Sequence, residues 1–156
     1  MKKIKVMVFG VFDLLHLGHV DFLKQAKSLG HFLIVSVARD VNVIKIKNQK
    51  PVHDEKKRLL NVGKVPYVDK IVLGGLKDPW PHIVKQKPDI IALGYDQEVY
   101  IETKEARIKN KAKDLEAQLQ QHGLKKTQVF ILKPHWPEIY KSRILRSKNY
   151  ESRSKN

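Results

Sequence analysis

A chain of 156 residues with 42% apolar side chains can bury one hydrophobic core and is short for two domains. It has no cysteine, which excludes disulfides and thiolate metal sites and fits a reducing, cytoplasmic setting; no apolar run nears the ~18 to 20 residues of a membrane span. A formal charge of +15 favours anionic partners, whether mononucleotides, phosphorylated metabolites or nucleic acid, without choosing among them.

Lys3 to Phe9 reads as a Val/Ile-rich strand running straight into Gly10, too short for a signal-peptide core and interrupted by Lys5. Leu17 to Leu29 places Val20, Leu23, Ala26 and Leu29 at helical spacing, with Gly30 where a C-terminal cap belongs. Phe32 to Ala38 is a second strand, apolar enough to be buried on both faces. Arg39 to Pro51 is polar, lysine-rich and aperiodic, and reads as a loop. Asp54 suits the cap of a short helix over Lys56 to Val62. Lys70 to Leu73 is a third strand ended by Gly74-Gly75, and Pro79 to Gln86 a short helix with Pro79 near its first turn. Asp89 to Leu93 is a fourth strand ended by Gly94, and Glu102 to His122 a long charged helix closed by Gly123. Gln128 to Leu132 is a fifth strand, a last helix starts near Ser142, and residues 149–156 form a basic tail that frays.

Strands alternating with helices predict an α/β chain with parallel strands, and right-handed crossovers give a doubly wound, Rossmann-like open sheet of about five strands. Residues 1–148 form one domain. With strand order 3-2-1-4-5, the ligand crevice lies beyond strands 1 and 4, where the order reverses. Strand 1 ends in Gly10-Val11-Phe12-Asp13 and strand 4 in Gly94-Tyr95-Asp96-Gln97, two polar turns opened by glycine.

His16 and His19 are three apart at a helix start, so they project from one side of its first turn. Gly18 between them lets a ligand approach the backbone, and the unpaired N–H groups and positive dipole end favour a phosphate. Two imidazoles can donate hydrogen bonds to that phosphate and stabilise the charge growing on it. A metal site is disfavoured because no third ligand stands at recognisable spacing, and no metal-binding residue is assigned.

The run G-x-F-D-x-x-H-x-G-H from Gly10 to His19 resembles the signature of the cytidylyltransferase-like nucleotidyltransferases. The family includes glycerol-3-phosphate cytidylyltransferase, phosphopantetheine adenylyltransferase and archaeal-type FAD synthase, and more distantly shares H-x-G-H with class I aminoacyl-tRNA synthetases. Gly94-Tyr95-Asp96-Gln97 resembles its G-x-D segment after strand 4, and Lys141-Ser142-Arg143-Ile144 its late S/T-K/R-I motif. Four further stretches are most similar to archaeal-type FAD synthases: Ala26 to Gly30, Val37 to Asp40, Val68 to Lys70 and Lys87 to Gln97. The chain departs from the pattern at Val11, where the family usually has threonine, and in lacking the C-terminal cysteines of many archaeal FAD synthases.

The resemblance implies transfer of a nucleotidyl group from an NTP to a phosphorylated small molecule, with pyrophosphate release. His16, His19 and Lys45 are the catalytic candidates. Gly10, Val11, Phe12, Asp13, Gly18, Lys47, Gly94, Asp96, Gln97, Ser142 and Arg143 are the nucleotide-binding ones, with Gly10 and Phe12 acting through backbone and Asp13 read alternatively as a holder of its turn. Arg58, Trp136 and Tyr140 are candidates for binding the acceptor; the two aromatics would stack on an isoalloxazine ring or pack on the core. Mg²⁺ would bridge the triphosphate oxygens, held mainly by substrate and water. ATP with FMN, giving FAD, is the leading pair, and CTP with glycerol 3-phosphate the alternative. A basic nucleic-acid-binding module is the non-enzyme alternative, but the sequence lacks a basic face with interleaved aromatics. The resemblance allows a homodimer, since relatives are often dimers, but no self-complementary patch can be read from the sequence.

Overall fold

The computed structural model describes residues 2–94 and 111–133. The apolar runs become parallel strands: β1 (Lys5–Gly10), β2 (Phe32–Val37), β3 (Lys70–Leu73), β4 (Ile90–Leu93) and β5 (Gln128–Ile131). They pair in the order β3-β2-β1-β4-β5, as expected. Helices α1 (Leu17–Ser28), α2 (Asp40–Lys47), α3 (Glu55–Gly63), α4 (Trp80–Gln86) and α5 (Lys111–Gln121) lie in the crossovers.

Side chains alternate across a strand, so each strand feeds two cores. Val6 and Val8 enter one with Leu23 and Ala26 of α1 and Val62 of α3. Met7 enters the other with Ile83 of α4 and Leu115 and Leu119 of α5. The last five residues of β2 are buried, which is the cost of covering both faces of an inner strand with helices.

Strand pairing also opens the crevice. β1 and β2 pair along six residues up to Gly10–Val37, whereas pairing of β1 with β4 ends at Met7–Ile91. The β1–β4 register sets Gly94 level with Gly10, so the turns that follow the two strands start side by side.

Two expectations need correction. Arg39 to Pro51 is not all loop, because Asp40–Lys47 forms α2. This helix buries only Val43, so periodicity gave little signal; long-range polar ties hold it instead. Arg39 Nε donates to the Gly74 carbonyl at 3.0 Å and Asn42 Nδ2 to the Gly75 carbonyl at 2.8 Å. Asn48, left-handed at φ 54°, ends it.

Gly30 is not a left-handed cap either: Leu29 caps α1 in right-handed geometry. Glycine is needed there for close approach, since a Cβ would lie 2.7 Å from the Ile4 carbonyl oxygen and 2.8 Å from Val6 Cγ2. That carbonyl already accepts from His31 N and Phe32 N at 2.9 and 3.1 Å, so it cannot retreat without loosening the start of β2. Gly30→Ala is therefore expected to lower stability by about 2 kcal/mol in urea unfolding. A wild-type midpoint would mean that the β1–α1 spacing yields freely.

Candidate active site

The turn after β1 runs directly into α1, and the two motif histidines build the helix start. His16 is the N-cap, extended at φ −140° and ψ 176°. Its Nδ1 accepts from Gly18 N at 3.1 Å, and its own N–H donates to His19 Nδ1 at 3.3 Å. This is a capping box in which imidazoles replace the usual hydroxyl and carboxylate. With Nδ1 of His16 accepting, the ring proton sits on Nε2, so the helix cap selects the tautomer.

The two rings lie 3.9 Å apart, tilted by 33°. Burial holds the His16 imidazole below the ordinary histidine value. Burial, then the charges of His16 and Lys47, lower His19 to about 4, against a smaller upward effect of the Leu14 carbonyl. Both rings are therefore neutral at pH 7.

Phe12 is buried and left-handed at φ 52°, a conformation that non-glycine residues seldom adopt. Its ring folds over Gly10, where a Cβ would come within 2.6 Å of Phe12 Cε2, and meets His19 edge-on at 5.6 Å. Gly10 and Phe12 thus fit each other, and the aromatic edge helps to seat His19.

Asp13 accepts from Val52 N at 2.7 Å and His53 N at 2.8 Å, tying its turn to the α2–α3 connection. This is the turn-holding role, with partners about forty residues downstream. Arg58 is fully buried and bonds to Val11, His53 and Asp40, below the turn and not in an open acceptor pocket. Lys45 and Lys47 sit in the last turn of α2. Two residues apart on a helix is about 200° of rotation, so they cannot both face the crevice. Lys47 is the one whose charge acts on His19.

Gly18 lies between the histidines in the first turn of α1, and Gly94 follows β4. Asp96, Gln97, Trp136, Tyr140, Ser142 and Arg143 lie outside the described residues. Sequence reasoning missed the polar lattice that joins α2 to α3. Arg39 Nη1 donates to Glu55 at 3.0 Å, Asp40 N to Glu55 Oε1 at 3.1 Å, and Glu55 N to Asp40 Oδ2 at 3.2 Å. The Arg39-Asp40 pair was visible in the chain, but its partners were not predictable from spacing. Among the described residues no group of three or more His, Asp or Glu side chains could hold a metal ion, and no helix is long and apolar enough to cross a membrane.

A parallel 3-2-1-4-5 sheet with H-x-G-H at the start of the helix after its central strand defines a Rossmann-like fold of the nucleotidyltransferase type. The chain belongs to the cytidylyltransferase-like family, whose profile matches residues 7–148. It is 46% identical over 94 residues to an FAD synthase of Thermoplasma volcanium, a match covering 60% of this chain and 66% of that relative, just under two thirds of its length. It is 43% identical over 110 residues to an FAD synthase of Pyrococcus horikoshii, covering 70% and 74% respectively. A crystal structure described as a lipopolysaccharide core biosynthesis protein of Thermoplasma volcanium superposes with a TM-score of 0.72 at 35% identity, over 86% of this chain and 99% of the other.

Proposed function

We propose that this protein transfers the adenylyl group of ATP to FMN, forming FAD and diphosphate. The observation that carries nucleotidyl transfer is the imidazole capping box at the end of β1, which leaves a neutral His16 with its ring N–H on Nε2 beside a helix N-terminus. The choice of ATP and FMN rests on the relatives named FAD synthase.

An FMN phosphate oxygen attacks the α-phosphorus in line, a P–O bond forms, and the bond to the bridging oxygen of diphosphate breaks. The attacking monoester is already anionic near neutral pH, so the protein needs no strong general base. Its task is to hold the phosphates and meet the charge growing on them. His16 and His19 serve by hydrogen bonding, the first turn of α1 by its N–H groups, and Lys47 by its charge. Mg²⁺, or another divalent cation, would neutralise triphosphate charge when bound; with no donor cluster among the described residues, it would be held by the nucleotide and water. Asp96 and Gln97 are assigned to the base or ribose, Ser142 and Arg143 to the outer phosphates, and Trp136 and Tyr140 to the acceptor. A homodimer remains part of this reading.

Pyrophosphate release decides the reading, measured with Mg²⁺ and either ATP or CTP, each offered FMN or glycerol 3-phosphate. ATP with FMN alone should react and yield FAD. Reaction only of CTP with glycerol 3-phosphate would replace the substrates and keep the chemistry, and silence in all four mixtures would remove both pairs.

The lysines separate in the same assay. Lys47→Ala should raise KM for ATP about tenfold, the loss of one phosphate-facing charge, while Lys45→Ala stays within about twofold. Equal effects would mean that α2 does not present Lys47 to the crevice.

A further inference from the structure

Among the described residues Arg58 is the only fully buried charged side chain. Enclosing a guanidinium is unfavourable unless its donors are engaged, and here they are. Nη1 donates to the Val11 carbonyl at 2.9 Å, Nε to the His53 carbonyl at 3.1 Å, and Nη2 to Asp40 Oδ1 at 2.6 Å. Arg58 lies one turn before Val62 on the buried stripe of α3, where an apolar side chain would pack without this burden. Packing therefore does not explain it, whereas its grip on the turn after β1 does.

A trans peptide points its C=O and its N–H in opposite directions. The Val11 carbonyl is turned onto Arg58, so the Phe12 N–H points away from it. Left-handed residues beside a turn are the setting in which backbone N–H groups gather around an anion, and Phe12 is left-handed. Val11 has no side-chain donor to add. Phe12 would gain by leaving φ 52°, and rotating the Val11–Phe12 peptide achieves that. The same rotation would turn a carbonyl oxygen toward the phosphates and remove a donor.

We propose that Arg58 is a positioning residue, which pins the Val11 carbonyl inward so that the Phe12 N–H faces the crevice as a phosphate donor. The inference rests on the proposed nucleotidyl transfer. Arg58 does not touch the substrate; it prevents the turn from relaxing into a form that repels it. Lysine cannot replace it, because a single ammonium lacks the planar fork that reaches Val11, His53 and Asp40 together.

The test compares Arg58→Lys with Val62→Ala, a substitution on the same helix face that loosens the core shared with Phe12 but removes no hydrogen bond to the turn. Turnover, thermal stability and amide spectra with and without MgATP are measured for each. In the wild type, MgATP should shift the Phe12 and Gly18 amide signals. Arg58→Lys should lower kcat about 30-fold, keep the Gly18 shift and lose that of Phe12. Val62→Ala should lose stability but keep kcat within about threefold. The proposal is overturned if folded Arg58→Lys keeps kcat within threefold, or if Val62→Ala loses as much activity at matched stability. Should Arg58→Lys fail to fold, Asp40→Asn, which weakens the hold on Arg58 Nη2, takes its place: loss of the Phe12 shift upholds the proposal and its retention overturns it. A protein that shifts Phe12 with MgATP, loses that shift in Arg58→Lys, yet releases no pyrophosphate would sink the transferase reading and uphold the Arg58 clamp.

Discussion

His16→Ala and His19→Ala should each lower kcat for pyrophosphate release about a thousandfold and leave the protein folded. Removing one donor aimed at a developing phosphate or carbonyl charge typically costs 10²- to 10³-fold, about 3 to 4 kcal/mol of barrier. Here the two rings lie 3.9 Å apart, tilted by 33°, and share one helix start, so each variant removes a neighbour of the other ring. Stability should suffer less, because an N-cap contributes about 1 kcal/mol. The cap and the chemistry can be parted with a third variant. In His16→Asn the side-chain oxygen can accept from Gly18 N as Nδ1 does, yet nothing replaces Nε2–H. His16→Asn should therefore keep wild-type stability and be as inactive as His16→Ala. If it were active, His16 would serve only as a helix cap. If both alanine variants turned over like wild type, the histidine pair would have no part in the reaction.

The histidine pair was legible because its physics is local: three residues of spacing, a glycine and a helix start. The same holds for β2, whose apolar run identifies an inner strand, and for Asp54, whose carboxylate accepts from Lys57 N as a cap should. What escaped was long-range. Arg58 was expected near the acceptor, but its partner Val11 lies 47 residues back and no pattern along the chain links them. Helix α2 escaped for a related reason, since its ties to Gly74 and Gly75 leave no apolar stripe behind. Gly30 was expected as a helix cap, whereas the carbonyl of Ile4, not a left-handed turn, is what excludes a side chain there. Lysines two apart look equivalent in a loop and diverge on a helix, which is why Lys45 and Lys47 part company once α2 is seen.

Acid should weaken this fold well above the pH at which carboxylates titrate, and His19 should be a principal cause. Its imidazole is lowered from the ordinary 6.5 to about 4, first by burial, then by the neighbouring His16 and Lys47 charges. Between those two values the unfolded chain holds a proton that the folded protein excludes. Stability therefore falls as pH drops through 6.5, and the fall ends near 4, below which both states are protonated. At about 1.4 kcal/mol per pH unit the whole interval amounts to about 3 kcal/mol, of which about 2 kcal/mol should be lost between pH 7 and pH 5. Urea unfolding at the two pH values measures it. His19→Asn should flatten the dependence, leaving the smaller contribution of His16, whose lowering has the same sign. MgATP should flatten it too, because phosphates beside the rings favour the imidazolium that burial disfavours. An unchanged slope in His19→Asn would place the acid sensitivity elsewhere. It would also remove the basis for a neutral His19 beside the turn, since the burial that lowers its proton affinity is what keeps it neutral at pH 7.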